Sequence, residues 1–240
     1  MATPSSIDPP PPPLKFIVTC FGPFKNQSTN PTLVLGPALS ISSSSHPNVD
    51  LVCVELPVSK AGVDAAMDEV WSEHVEPHAS SPSSRVIILH MGVDGTQRES
   101  GVFKLERRGV NQLDFRIPDN EGFQPRKLPI EEGLGQEDWL GSMGGPLEGG
   151  DSPSPFLDRC LTKLEEGGWE GRVVASDDAG RFVCNYTLFT TLARARLTSH
   201  NNVKAMFLHV PNFTLIEMDE QGKLLGDLAE ALVEEVRKCQ

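Results

Sequence analysis

The sequence has few cysteines, and none of them is spaced for a metal site or a disulfide scaffold. The five cysteines are scattered and odd in number, and no two form a C-x-x-C pair: Cys20, Cys53, Cys160, Cys184 and Cys239. Structural zinc sites and disulfide frameworks use several cysteines at regular spacings. The sequence therefore predicts no metal site, and free thiols of this kind suit the reducing environment of the cytoplasm.

Two further absences limit the partners. No apolar run approaches the ~18–20 residues that span a bilayer, and the N-terminal MATPSSIDPPPPPLK lacks the basic start and apolar centre of a secretory signal. Positive charge is also scarce: the sequence has 33 acidic and 21 basic residues, which gives a net charge of -12. Such a surface repels phosphate groups and anionic lipids. We expect a cytoplasmic protein that binds neither nucleic acid nor membrane, and the sequence leaves homo-oligomerisation open.

The chain divides by composition into an arm and a domain. Five consecutive prolines (9–13) predict that residues 1–13 form a disordered, proline-rich arm, although such a segment can also dock on a proline-recognition domain. Residues 14–240 are long enough to form a single α/β domain with a sizeable core. Within it, the stretch 133–155 is rich in glycine, proline and acidic residues, and we expect a mobile loop or insertion there.

Short apolar runs alternate with amphipathic segments along the domain. The runs that predict strands are KFIVTC (15–20), DLVCVELPVS (50–59), SSRVIILHMGV (83–93), VVAS (173–176) and KAMFLHVP (204–211). Helical spacing marks 62–76, 156–168, the segment after Cys184, and 223–239. This alternation predicts a three-layer α/β/α fold of the kind found in phosphorylases and hydrolases, with a mostly parallel sheet between helices.

One cysteine and one histidine follow predicted strands, where ligands bind in open α/β sheets. Cys184, in SDDAGRFVCNY (176–186), comes after VVAS at the start of a helix, and His209 ends the strand AMFLH. A helix N-terminus lowers the pKa of a thiol and offers N–H groups to an oxyanion. A histidine can take the thiol proton and later return it. The two residues are therefore candidates for a nucleophile and its general base.

Each candidate also has a structural interpretation. Free cysteine is among the most buried residue types, so Cys184 taken alone is more typical of a core. A single histidine at a strand end is likewise more often structural than catalytic. Cys20 ends the first strand and could lie near a pocket, whereas the remaining three cysteines are interpreted as structural.

Four segments in order resemble the pyroglutamyl-peptidase I, or pyrrolidone-carboxylate peptidase, family of cysteine peptidases. They are VTCFGPFKNQSTNP (18–31), HMGVDG…KLERRGVN…RIPDNEGFQP (90–125), SDDAGRFVCNY (176–186) and FLHVP (207–211). Each segment alone is a weak signal, and AG-x-F-V-C-N is the most specific of them. The resemblance covers roughly residues 15–213.

The resemblance implies a role for particular side chains. It places the nucleophile at Cys184, the catalytic histidine at His209 and the catalytic glutamate at Glu106, which without it would be one acid among 33. It also implies that Phe21 and Phe24 flank the pyrrolidone ring of the substrate. Arg116 matches an arginine near the reacting carbonyl. One departure concerns Cys20, which stands where the family usually has glycine.

The implied activity is hydrolysis of the bond after an N-terminal pyroglutamyl residue, through a Cys-His-Glu triad and an acyl-enzyme, with no metal or cofactor. The substrate partner is then a pyroglutamyl peptide. One alternative is a catalytically silent relative that binds pyroglutamyl or similar small termini. A nucleotide-binding or phosphorylase-like protein is a further alternative, but no G-x-x-x-x-G-K-[ST] or G-x-G-x-x-G loop is present.

Overall fold

The computed structural model describes residues 11–25, 29–81, 83–97, 101–136, 139–141, 155–198 and 202–238. Most of the predicted arm (1–10) and most of the predicted insertion (137–138 and 142–154) lie outside these residues, so both stay predictions. The described end of the arm contacts the domain. The carbonyl of Pro11 accepts a hydrogen bond from the Asn48 amide, and that of Pro13 accepts from the Arg85 backbone N–H.

A six-stranded sheet forms the middle layer. The described strands are β1 (Leu14–Phe21), β2 (Val49–Leu56), β3 (Arg85–Val93), β4 (Phe103–Glu106), β5 (Arg108–Val110), β6 (Trp139–Gly141), β7 (Val173–Ser176) and β8 (Val203–Val210). The order across the sheet is β2-β1-β3-β8-β4-β7, and β5 pairs with β6 in a separate antiparallel ribbon. The strands β1, β3 and β8 lie inside the sheet and are almost entirely buried, as their unbroken apolar runs predict.

Helices cover both faces of the sheet. They are α1 (Pro31–Ala38), α2 (Lys60–Val70), α3 (Glu76–Ala79), α4 (Pro155–Leu164), α5 (Val183–Leu197) and α6 (Met218–Lys238), with π-helical turns at Trp71–Val75 and Glu165–Trp169. One core joins the sheet to α1, α4 and α6, and a second core joins it to α2 and α5. The α/β/α layering is therefore confirmed. None of the helices in the described part of the chain has the length and apolarity needed to cross a bilayer.

The two strands at one edge run against the others. The strand β4 is antiparallel to β8 and parallel to β7, so β4 and β7 oppose the direction of β1, β2, β3 and β8. The strands β7 and β8, which Cys184 and His209 follow in the sequence, therefore end at opposite ends of the sheet. A four-residue apolar strand carries no signal of its direction, so the sequence could not reveal this reversal. The loop 177–182 carries the chain from β7 to the start of α5.

Candidate active site

A buried carboxylate and an imidazole meet between β4 and β8. Oε1 of Glu106 lies 2.8 Å from Nδ1 of His209, and the Glu106 side chain has no exposed surface. The antiparallel register pairs Lys104 with His209 and Glu106 with Phe207. Glu106 and His209 are therefore diagonal neighbours on one face of the sheet. Since Glu106 occupies Nδ1, the imidazole has Nε2 left for a second partner.

The thiol of Cys184 reaches this dyad from the first turn of α5. Cys184 is the second residue of that helix. A Cβ placed on Gly92 would lie 3.4 Å from its Sγ, and Gly92 is the neighbour of His209 across β3 and β8. The missing side chain of Gly92 therefore leaves the space in which the sulfur approaches the histidine. The structure brings Cys184, His209 and Glu106 into one cluster.

The Cys184 and Glu106 side chains change the pKa of the His209 imidazole. Burial alone would lower the pKa of His209. Hydrogen bonding and negative charge from the Cys184 and Glu106 side chains outweigh the burial and raise the pKa to about 10. The site therefore favours the protonated form of the His209 imidazole, which is the form that can give a proton to a leaving group.

The N-terminus of α5 lies beside the Cys184 sulfur. The N-cap residue of α5 is Phe182, which lacks an oxygen that could accept from the first N–H groups, and no side chain in the described ranges caps this helix. The first N–H groups of a helix have no partner within the helix. They can therefore donate to an oxygen of a bound substrate, with the helix dipole favouring negative charge there.

The segment 107–112, after Glu106, holds in place the loop 177–182, which leads to Cys184. The guanidinium of Arg107 makes two hydrogen bonds of 2.9 and 2.7 Å to the Asp177 carboxylate, and Nε of Arg108 donates to the Asp177 carbonyl at 2.9 Å. At the other end of the loop, Oδ1 of Asn185 accepts from the Val110 N–H at 2.8 Å. The segment that carries the acid therefore also fixes both ends of the loop that delivers Cys184.

Asn185 makes two more bonds from the same fully buried amide. Its Nδ2 donates to the carbonyl of Val110 at 2.8 Å and to that of Gln112 at 3.0 Å. The asparagine was visible in the C-N pair of the sequence, yet its type alone gave it no role. Its partners lie more than 70 residues away in the chain, so only the fold reveals its function as an anchor for the first turn of α5.

The residues predicted to bind substrate have three different environments. Phe21 is 3% exposed and packs against Phe207 with ring centroids 6.3 Å apart, and the Phe207 ring lies 4.6 Å from that of His209. Phe24 is half-buried and packs against Phe182 at 5.3 Å. Arg116 is exposed on the loop between β5 and β6. Phe21 is thus linked to His209 through the Phe207 ring, Phe24 packs on the residue before α5, and Arg116 is exposed.

That loop is held by the polar residues that follow Arg116. Oδ1 of Asp119 accepts from the backbone N–H groups of Glu121 and Phe123, and Oδ2 accepts from that of Lys60, each at 2.9 Å. Asn120 donates to the carbonyl of Pro23 at 2.9 Å and so joins the loop to the segment of Phe24. The motif Pro118-Asp119-Asn120 therefore fixes the backbone of this loop and joins it to the segment of Phe24.

Gly180 forms the turn in the loop 177–182. Its φ of +79° lies in the left-handed region, which favours glycine. A Cβ on Gly180 would have no heavy atom within 4 Å, while the neighbouring Ala179 is buried. The space in which a Gly180 side chain would lie is therefore open. Among the described residues, no group of three or more His, Cys, Asp or Glu side chains is placed to hold a metal ion.

Comparisons with known proteins identify the family of the chain. Residues 14–139 match the family model of pyroglutamyl peptidases. The pyrrolidone-carboxylate peptidase of Thermococcus litoralis is 28% identical over 217 residues, with 88% of this chain and 82% of the relative covered. The one from Streptococcus suis is 29% identical over 209 residues, with 87% and 83% covered.

Solved structures share the fold. A variant of pyrrolidone carboxyl peptidase from Pyrococcus furiosus superposes with a TM-score of 0.72 at 22% identity, with 92% of this chain and 99% of that chain covered. Pyroglutamyl peptidase I from Bacillus amyloliquefaciens gives a TM-score of 0.69 at 23% identity, with 92% and 97% covered. With more than half of its length matched by the family model, the chain belongs to the pyroglutamyl peptidase family.

Proposed function

We propose that this protein is a cysteine exopeptidase that hydrolyses the bond after an N-terminal pyroglutamyl residue. The observation that carries the proposal is the cluster in which the Cys184 thiol and the Glu106 carboxylate act on opposite sides of the His209 imidazole. A nucleophile, a base and a group that orients the base are the elements of acyl transfer through a covalent intermediate. The family membership gives the substrate class.

The first half of the proposed reaction forms the acyl-enzyme. The Cys184 thiol transfers its proton to Nε2 of His209, and the thiolate attacks the carbonyl carbon of the pyroglutamyl residue. The oxygen becomes negative and accepts hydrogen bonds from N–H groups in the first turn of α5. The tetrahedral species then collapses, the C–N bond breaks, and the imidazolium of His209 gives its proton to the leaving amine.

The second half releases the product. A water molecule gives a proton to His209 and attacks the thioester carbonyl, and the C–S bond breaks. The sulfur leaves as a thiolate and regains a proton from the imidazolium, which yields pyroglutamic acid and the resting thiol. Glu106, fixed at Nδ1 by the 2.8 Å contact, keeps the imidazole oriented in both halves.

The substrate residue carries no charge, and the proposed pocket suits that property. A lactam ring has two flat apolar faces, and its polar N–H and C=O groups lie in the ring plane. The half-buried Phe24 can supply apolar surface to one face of the ring, and Phe21 can supply the other face if substrate binding uncovers its 3% exposed side chain. Arg116 can approach the reacting carbonyl from its exposed loop. A free glutamine N-terminus would bring an ammonium group into this pocket without a counter-charge, so it should be rejected.

A fluorogenic pyroglutamyl amide tests the proposal directly. We expect turnover by the wild-type chain, no turnover by Cys184→Ala, and little hydrolysis of the matching glutaminyl amide. Isothermal titration of the Cys184→Ala variant with a pyroglutamyl dipeptide separates binding from chemistry. If the wild-type chain binds that dipeptide but releases no fluorophore, it is a catalytically silent binder and the proposed reaction is wrong.

A further inference from the structure

Two cysteines lie side by side on the face of the sheet opposite to Cys184. The Sγ atoms of Cys20 in β1 and Cys53 in β2 are 3.7 Å apart. Both belong to the core with α1, α4 and α6, whereas Cys184 contacts the core with α2 and α5. The proposed reaction uses neither of them, so their contact needs another explanation.

The helix above the pair leaves room for both sulfurs. A Cβ on Gly36 in α1 would lie 2.1 Å from Sγ of Cys20 and 3.0 Å from Sγ of Cys53. Any other residue at Gly36 would push the two thiols away from their positions. The glycine therefore leaves the space in which the two thiols touch each other.

The two thiols differ in accessibility. Cys20 is 1% exposed, while Cys53 is half-buried on β2, which is the edge strand of the sheet. They also differ in acidity. The hydrogen bond with Cys53, and after it burial, raises the pKa of Cys20, whereas the same hydrogen bond lowers the pKa of Cys53. Cys53 is thus the thiol that a reagent from solution meets first and that ionises first.

We propose that Cys20 and Cys53 form a reversible oxidation site, which closes to an intramolecular disulfide when a small-molecule disulfide such as glutathione disulfide is the oxidant. The Cys53 thiolate attacks one sulfur of the oxidant, and one glutathione leaves as a thiolate. Cys20 then loses its proton to that thiolate and attacks the Cys53 sulfur, which expels the second glutathione. Two electrons and two protons pass from the protein to the oxidant.

The register of the strands makes this disulfide a strained one. Cys53 pairs with Val18, and Cys20 pairs with Glu55, so the two cysteines are diagonal neighbours. In a parallel pair, strands about 4.8 Å apart with a rise of about 3.3 Å per residue put diagonal Cα atoms about 8 Å apart, whereas a disulfide joins Cα atoms no more than about 6.8 Å apart. Closing the bond must therefore draw the end of β1 and β2 together. Strained disulfides are readily reduced, which suits a reversible site.

The strain in β1 would reach the candidate pocket through Phe21. Cys20 precedes Phe21, whose ring packs against Phe207 beside the His209 ring. A shift of β1 at Cys20 moves Phe21 on the other face of the sheet. This consequence, unlike the oxidation itself, rests on the proposed function, and we expect it to weaken binding of a pyroglutamyl substrate.

The oxidation is tested on the full chain in a Cys184→Ala background, so the result does not depend on the catalytic thiol. The reduced protein is incubated with glutathione disulfide, alkylated and digested with trypsin. The cysteines fall in the tryptic peptides 16–25 and 26–60. We expect these two peptides to appear joined, and to separate after dithiothreitol treatment. An added Cys20→Ala substitution should leave a stable glutathione adduct on Cys53, and an added Cys53→Ala substitution should leave no joined peptide.

Two results would overturn the oxidation site. One is a glutathione adduct on Cys53 that persists in the presence of Cys20, because then the second step does not occur. The other is a complete absence of modification at both cysteines while unfolded control protein reacts fully.

The consequence for the pocket is measured with the wild-type catalytic thiol present. We expect oxidation to raise KM for the fluorogenic pyroglutamyl amide by on the order of tenfold, since displacements of about 1 Å at positioning groups have effects of this size or larger. Dithiothreitol should restore KM, and Cys53→Ala should keep its reduced-state KM in oxidant. If Cys53→Ala loses as much activity as wild type, the loss arises at Cys184 and the link to the pocket is wrong. If the disulfide forms in a protein that never shows turnover, the proposed function fails while the oxidation site stands.

Discussion

Glu106 lies beside His209 because β4 runs antiparallel to β8. Lys104 is the direct partner of His209 and Glu106 that of Phe207, so the carboxylate reaches Nδ1 of the imidazole diagonally at 2.8 Å. In a parallel arrangement, the residue at the end of β4 would lie at the level where β8 ends. The reversed strand therefore brings the acid below the histidine and away from solvent, while α5 brings the Cys184 thiol within hydrogen-bonding reach of the imidazole.

The charge of Glu106 should matter for turnover. Glu106→Gln keeps the shape of the side chain but removes the negative charge that stabilises the imidazolium of His209. We expect kcat for the pyroglutamyl amide to fall by on the order of 100-fold or more, in the range of lost general acid–base assistance. KM should change much less, because Glu106 is fully buried behind the histidine and does not contact substrate.

A matched control is available for this substitution. Glu235 in α6 is also buried, at 1% exposure, and Oε2 of its carboxylate lies 2.7 Å from Nε of Arg159. Glu235→Gln should lower the free energy of unfolding and leave kcat unchanged. Equal kcat values for the two glutamine variants would show that Glu106 has only a structural role.

Asn185 should act on turnover as a positioning residue. Asn185→Ala removes three hydrogen bonds between the first turn of α5 and the segment after Glu106. We expect a loss of about 1–3 kcal/mol in the free energy of unfolding, since the backbone partners stay buried without them. We also expect a lower kcat and slower alkylation of Cys184 by iodoacetamide.

A second fully buried asparagine separates positioning from stability. Asn111 bonds the loop 130–135 through Oδ1 and Nδ2, and it does not hold α5. Asn111→Ala should destabilise the fold by a similar amount while the alkylation rate of Cys184 stays near wild type. The positioning role is refuted if both variants slow alkylation equally at a temperature well below their unfolding transitions.

Two of the buried histidines, His209 and His90, should give stability opposite dependences on pH. The pKa of His209 is raised from 6.5 to about 10 by the Cys184 and Glu106 side chains, which outweigh burial. The folded state then binds more protons than the unfolded state between these values. The stability from this histidine is complete below pH 6.5 and is lost as the pH rises toward 10. Denaturant titrations of wild type and His209→Gln across this window should converge as the pH rises.

His90 provides the contrast. Burial lowers its pKa from 6.5 to about 3, and its ring nitrogens lie 2.8 Å from the Thr19 hydroxyl and 3.1 Å from the Thr191 hydroxyl. The unfolded state then binds the extra proton below pH 6.5, so the stability from His90 falls as the pH decreases toward 3. Wild type should therefore lose stability in acid more steeply than His90→Gln. A parallel acid response of the two proteins would mean that His90 is not held neutral.

The sequence predicts the inner part of the sheet better than its edge. The apolar runs of β1, β3 and β8 specify strands buried on both faces, and the position of Cys184 at a helix start follows from the pattern around it. The direction of β4 and β7 does not follow, because hydrogen bonding in either direction suits a strand of four residues. Glu106 was singled out only through the family motif, since its partner His209 lies 103 positions further along the chain.

Polar anchors were the least predictable feature of the site. Asn111, Asp119 and Asn185 have the composition of ordinary loop residues, and each acquires its role from backbone groups that the fold brings to it. A single amide or carboxylate in a sequence does not indicate whether it will face water or a buried N–H. Asp119 and Asn185 belong to the P-D-N and C-N motifs, but the motifs alone do not give the physical role of either side chain.

Gly92 should be required for the approach of the nucleophile to its base. A Cβ at this position would lie 2.9 Å from Cζ of Phe207 and 3.4 Å from Sγ of Cys184, so Gly92→Ala must displace the ring, the thiol or both. Displacements of about 1 Å in a reacting group can cost up to about 100-fold in rate, and we expect kcat to fall within this range. Gly95→Ala is the matched control from the same segment, because a Cβ there meets no heavy atom within 4 Å. Initial rates of the two variants test this prediction, and unfolding midpoints confirm that both are folded. If kcat of Gly92→Ala equals that of Gly95→Ala, the approach of the Cys184 sulfur to His209 does not need the space beside Gly92.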